Sequence, residues 1–208
     1  AGAGVFMDSA SNNQINGASR ITGSANTAYG VYLHGSSVIA GDIFGNTTAS
    51  KAGVHYAGGV HNQTGNVTGS SGSYIGVYHA GGTINYNNIT VLGTSSSSVG
   101  TYISTAVNIS GNSTINGRSS TSTAMQLTST ANVTTSGNVV FNASSSGGVG
   151  AGFTMTAGNI LNATGSIAII GSAAGSGVGV NLAGEVTLVN ATVSGSSTGS
   201  FNGVNFGA

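Results

Sequence analysis

The chain has 208 residues, 3% of them charged, with a formal net charge of zero, against roughly 25% charged residues in an ordinary soluble domain. Its basic residues, Arg20, Lys51 and Arg118, are too far apart to form the patch that nucleic-acid binding requires. There is no polybasic or amphipathic stretch for a membrane surface, and no apolar run nears the roughly 20 residues that span a bilayer. The absence of Cys rules out disulfides and thiol redox chemistry.

Gly contributes 37 residues, and Ser, Thr, Asn and Ala much of the rest. Such a composition can be a linker, but short runs of Val, Ile, Leu, Phe and Tyr recur throughout, and these types suit strands. From the amino end a small residue is followed repeatedly by apolar, variable, apolar. The pattern starts at Gly4, Gly30, Gly53, Gly76, Gly100, Ala124, Gly152, Gly179 and Gly203, at spacings of 26, 23, 23, 24, 24, 28, 27 and 24. A period in this range signals a solenoid; a WD-type blade needs about 40 residues, and the Leu framework of leucine-rich repeats is missing.

Each repeat holds two further short strands. In the fifth they are expected at Ala106–Ile109 and Ser113–Asn116, and in the eighth at Glu185–Leu188 and Ala191–Val193. Gly-Asn, Asn-Gly, Ser-Gly and Gly-Ser pairs between them suit corners with positive φ. The prediction is an all-β, parallel β-helix (β-solenoid) of about 8 coils of 23–28 residues, three short strands per coil, running as one unit over residues 1–208. Val31 and Leu33 would point inward and Tyr32 outward, since side chains alternate along a strand. The lack of Pro fits, because Pro removes a ladder donor. Both ends fall in mid-repeat without a cap, which predicts an internal piece of a longer chain or a unit that stacks end to end.

A catalytic site is hard to assemble. Cleavage of polysaccharides on such a scaffold needs clustered carboxylates, and the acids are only Asp8, Asp42 and Glu185, the last many coils from the others. No Ser lies in a Gly-x-Ser-x-Gly elbow with credible partners. The histidines, His34, His55, His61 and His79, do not converge as zinc ligands must, and the Gly-Gly-x-Gly-x-Asp calcium repeat is absent. The chain is therefore expected to be no enzyme, with no cofactor and no catalytic or metal-binding residues.

Two surface features stand out. The outward position of the first strand reads Phe6, Tyr32, His55, Tyr78, Tyr102, and then Gln126, Thr154, Asn181, Asn205. The five rings are either a platform for sugar rings or another partner, or a ladder that holds neighbouring coils together. Asn-x-Ser/Thr triplets occur at Asn46, Asn62, Asn66, Asn88, Asn108, Asn112, Asn132, Asn142, Asn162 and Asn190. These are candidate glycosylation sites, or Asn used at positive-φ corners and in amide ladders. An ice-binding face would need aligned Thr-x-Thr ranks, and only Thr128-Ser-Thr130 and Thr154-Met-Thr156 have the pattern.

Segments such as Asn108-Ile-Ser-Gly-Asn-Ser-Thr-Ile-Asn-Gly117 and Gly177-Val-Gly-Val-Asn-Leu-Ala-Gly184 resemble the repeats of bacterial two-partner-secretion exoproteins, the filamentous-haemagglutinin-like and high-molecular-weight adhesins. The resemblance covers essentially the whole chain and is compositional and periodic. It implies a right-handed parallel β-helix, secreted through an outer-membrane transporter partner and displayed at the bacterial cell surface. The partner would be a glycan or protein of a host or neighbouring cell, or further copies of the chain end to end. On this reading the chain is a structural shaft or adhesive repeat region; the alternative is a subunit of a self-assembling extracellular filament. An ice-binding β-helix and a polysaccharide-active β-helix enzyme are more distant.

Overall fold

The structure is a computed structural model, which describes residues 2–8, 12–128 and 130–207. These form a β-solenoid of eight coils plus the first strand of a ninth, and every strand pairing is parallel. Parallel strands need a crossover, and here the rest of each coil supplies it. The short apolar triplets that mark the repeat are the first strands, from Val5–Met7 and Val31–Leu33 to Val204–Phe206. They stack in chain order into one nine-stranded sheet.

Register follows the repeat. Val31, Tyr32 and Leu33 lie opposite Val54, His55 and Tyr56, and these opposite Val77, Tyr78 and His79. The triplets alternate inward, outward, inward as strand geometry requires: Val31 and Leu33 are fully buried and Tyr32 is half-buried. The inward side chains form one apolar column that includes Leu33, Ile43, Val77, Ile115, Phe141 and Ile169. The Phe141 and Phe153 rings meet edge to face within it at 5.8 Å.

The second and third strands of each coil build the other sheet. In the first six coils they are separate, as expected: Ala106–Ser110 and Asn112–Ser119 in the fifth. The last two full coils depart from three strands. Their second and third strands fuse into Ile160–Ala173 and Glu185–Ser197, so the two segments expected at Glu185–Leu188 and Ala191–Val193 are one element. Pairing shifts register between Asn162 and Ile167. The corner has become a register shift within one continuous strand, and Gly-rich spacing alone does not distinguish the two.

The closing half of each third strand packs closely against the next anchor. Gly23, Gly45, Gly69, Gly93 and Gly117 form a rank, one above another. A β-carbon on Gly93 would stand 2.1 Å from the Gly100 carbonyl oxygen, and the others of the rank meet similar backbone obstruction. Two residues further on runs a rank of hydroxyls: Thr47, Ser71, Ser95, Ser119 and Ser145. All are buried, and each donates to a carbonyl of the adjoining corner, as Thr47 Oγ1 to Ala28 (2.7 Å), Ser71 Oγ to Lys51 (2.9 Å) and Ser119 Oγ to Ser98 (2.6 Å). Ser71, Ser95 and Ser119 also accept from the N–H three residues on. A short hydroxyl thus satisfies corner groups that no strand can pair.

Candidate functional site

The five outward rings stack in register, with successive centroids 5.3, 5.0, 4.8 and 5.2 Å apart from Phe6 to Tyr102. Their orientation decides what they offer. Phe6 and Tyr32 are face to face, at 10°; His55 is tilted against both Tyr32 and Tyr78; Tyr78 and Tyr102 are perpendicular. The rings spend their faces on one another, the usual geometry of aromatic pairs that bind neighbouring strands. They do not form a flat row. His55 is buried, 8% exposed, beneath Tyr29, whose ring meets it edge to face at 4.6 Å. Tyr102 is tied to the next coil through Thr128 Oγ1.

The corners add what the repeat does not show. Tyr29, Ala52, Ile75 and Val99 directly precede their anchors, and Lys51 and Tyr74 stand one residue earlier. Ala52, Ile75 and Val99 form a second apolar cluster, outside the main column, against which Tyr29, Tyr74, Tyr78 and Tyr102 pack. Its amino-terminal end is an open groove of about 400 Å³ lined by Phe6, Thr27, Tyr29, Tyr32 and Lys51 among others. Lys51 Nζ lies 5.3 Å from the centre of the Tyr29 ring, within cation–π range. Burial raises the Tyr29 hydroxyl above its ordinary pKa, as do the neighbouring Tyr32 and other tyrosines.

Three of the four histidines are structural. His79 is completely buried; its Nδ1–H donates to the Tyr102 carbonyl (3.2 Å), so Nε2 accepts from the Tyr86 hydroxyl (2.6 Å). His61 has the opposite tautomer: Nε2–H donates to Gly58 O (2.6 Å) and Nδ1 accepts from Ser37 Oγ (2.8 Å). Carbonyls only accept, which fixes the tautomer of each neutral ring. Tyr56 stacks on His79 at 5.3 Å and lies edge to face with His61. Burial lowers His79 to about 3 and His61 below its usual value, the carbonyl bond opposing in each case. Burial, then the Lys51 charge, lowers His55 to about 4. His34 is exposed beside Tyr32.

The acids remain apart. Asp42, on the second coil, accepts from the Asn66 N–H at 2.8 Å, and Glu185 opens the fused strand of the eighth. Among the described residues no three His, Asp or Glu side chains gather to hold a metal ion, and no helix is long and apolar enough to cross a membrane. Of the Thr-x-Thr triplets, one contains residue 129, which lies outside the described residues, and the other flanks the buried Met155.

Among the triplet asparagines, Asn162 is half-buried and the other nine are exposed. Several hold the coils together. Asn108 Nδ2 donates to Asn85 Oδ1 and Asn85 Nδ2 to Asn62 Oδ1, both at 2.8 Å. Asn138 donates to Asn112 at 3.0 Å and Asn142 to Asn116 at 3.4 Å. Asn66 Oδ1 accepts from Thr90 N, and Asn88 Oδ1 from Asn112 N. Asn88 and Asn190 sit at corners with φ of 52° and 47°, where Asn is among the few side chains tolerated. The amide nitrogens of Asn108 and Asn142, the atoms a glycan would need, are therefore engaged in ladders. Compared with family models, with curated proteins and with solved structures, the chain matches none of them.

Proposed function

We propose that the chain is a shaft or adhesive repeat region of a secreted, cell-surface bacterial adhesin, and that it works through reach, stiffness and repeated surface display, without catalysis. The observation that carries this reading is the unbroken stack. Eight coils stack in parallel around one apolar column, and the outside is nearly uncharged hydroxyl and amide. Such a body gives little to chemistry and much to length. Coils about 4.8 Å apart make a rod on the order of 40 Å long, and a solenoid lengthens by repetition without changing its cross-section.

Electron microscopy of the native particle tests the proposal. Single rods projecting from bacterial cells are expected. Polymers with an axial subunit repeat would replace the shaft by a filament, and compact particles confined to the cell interior would sink both.

A further inference from the structure

We propose that the third coil, residues 53–75, is an acid-sensitive joint: in mild acid it opens locally while the coils beyond it stay folded. The inference rests on the fold alone and goes beyond the shaft reading, since it holds equally for a filament. It starts where the apolar column is interrupted. In the third coil the inward positions include Tyr56, His61 and Gln63, and His55 is buried on the outward side. In the fourth coil His79 lies opposite Tyr56, and Tyr86 opposite Gln63.

Two observations single this coil out. First, its polar groups are the least satisfied. Among the described residues four buried side-chain polar atoms have no hydrogen-bond partner, and three are here: His55 Nδ1, the Tyr56 hydroxyl and Gln63 Oε1. A buried polar group without a partner favours an opening that lets water reach it. Second, its imidazoles are held by bonds made for the neutral ring. His61 Nδ1 accepts from Ser37 Oγ, and His79 Nε2 accepts from the Tyr86 hydroxyl. A protonated ring has two donors and no acceptor, so each hydroxyl would have to turn round, and a charge would be left in an apolar column.

No opposite charge stands by to hold such a proton. His61 is faced by the Tyr56 ring, Ser37, Ile84 and the Gly58 carbonyl. His79 is faced by Tyr56, Tyr86, Ile103 and the Tyr102 carbonyl, with His61 and His55 as further imidazoles. His55 lies among Tyr29, Tyr32 and Tyr78, and the charge near it is Lys51, which opposes protonation. Among the described residues none of those buried is Asp, Glu, Lys or Arg, and Asp42 is bonded to the Asn66 N–H on the outside of the third strands. The sixth and seventh coils, by contrast, bury Met125, Leu127, Phe153 and Met155 and contain no histidine.

The direction follows from the protons. Once the coil opens, its imidazoles take up protons near their ordinary value of about 6.5, whereas the closed coil refuses them. The open fraction therefore rises as pH falls below that value, about tenfold per pH unit for each histidine, until pH passes the value in the closed coil.

The test is amide exchange along the whole chain at about pH 7 and about pH 4.5, corrected for the intrinsic rate at each pH, with the imidazole resonances followed by NMR. Between the two conditions protection at Val54–Tyr56 and Val60–Gln63 is expected to fall at least about a hundredfold, and at Phe153–Met155 by less than about tenfold. His61 and His79 should show no protonation near their ordinary value in the closed chain. The double variant His61→Leu, His79→Leu should reduce the fall at Val60–Gln63 at least about tenfold, and His34→Gln, at the exposed histidine, should leave it unchanged. If the double variant does not fold, the imidazole titration of the wild type decides. The proposal is overturned by His61 and His79 titrating near their ordinary value while the third coil stays protected, by equal loss of protection in the third and seventh coils, or by no loss in either.

Discussion

At the scale of single residues, the core of the third and fourth coils is the least ordinary part of the column. His61, His79 and the rings of Tyr56 and Tyr86 occupy positions where most coils have aliphatic side chains. The sequence shows part of this. His55 and His79 take the second and third places of their triplets, which alternation puts on opposite faces, and one lies outward under Tyr29 while the other points inward. It does not show that Ser37 and Gly58 complete the partners of His61, because those contacts join different coils and corners. A pH dependence follows. The folded chain keeps these imidazoles neutral, with His79 lowered to about 3 and His55 to about 4 by burial. Below about pH 6.5, the ordinary histidine value, the unfolded chain takes up protons that the folded chain refuses. Stability is therefore full above that pH and falls on acidification, by up to about 1.4 kcal/mol per pH unit for each such histidine. The loss levels off for each as pH passes its folded value. Urea melts between pH 8 and 4 check this, and a flat profile across that range would show the buried histidines to be protonated in the fold.

At the scale of the element, strands were legible and corners were not. Strands announce themselves by alternation, so the inward Val31 and Leu33 and the outward Tyr32 follow from a triplet. Corners have no period, and their meaning lies in close approach. The glycine rank, inside the third strands where they meet the next anchor, looks like ordinary turn composition until the 2.1 Å clash shows that Gly93 is required for space. Its exception supports the point: Ala143 replaces glycine where nine positions separate it from the next anchor, Gly152, the longest such corner in the chain. Gly93→Val is accordingly expected to cost about 1–3 kcal/mol or more, as overpacking against backbone that cannot yield, read as a lower denaturation midpoint. The hydroxyl rank makes a second expectation. Ser119→Ala strands the Ser98 carbonyl and the Ser122 N–H at once, and a loss of about 1–3 kcal/mol is expected. Ser119→Thr, which keeps the oxygen, should recover most of it in the same melts. For the same reason the candidate groove was invisible in sequence. Tyr29 and Lys51 sit in corner segments, and only the stacking of the first two coils brings them to Phe6 and Tyr32.

For the whole molecule, stacking makes stability a property of neighbours. Each coil touches those above and below it, so the rod approximates a one-dimensional array of coils and interfaces. The chain is not uniform along that array. Aromatic rings and buried histidines gather in the first five coils, whereas the outward rank further on is Gln126, Thr154, Asn181 and Asn205, with Asn205 Nδ2 donating to Asn181 Oδ1 at 2.7 Å. The fused strands also belong to the last two full coils. The two ends therefore solve the same problem differently, one by packing rings across coils and the other by extending the hydrogen-bonded ladder through the corner. A core truncation between them separates local from global behaviour. Ile115 is fully buried in the fifth coil, opposite Val91 below and Phe141 above. Ile115→Ala should cost about 2–5 kcal/mol, the usual range for emptying such a position. In an array with neighbour coupling the loss is not shared evenly: amide exchange should quicken most in coils four to six and least at Val31–Leu33 and Val180–Leu182, in the second and eighth coils. Uniform quickening from end to end would mean that the rod unfolds as a single cooperative unit and that its stiffness is a property of the whole.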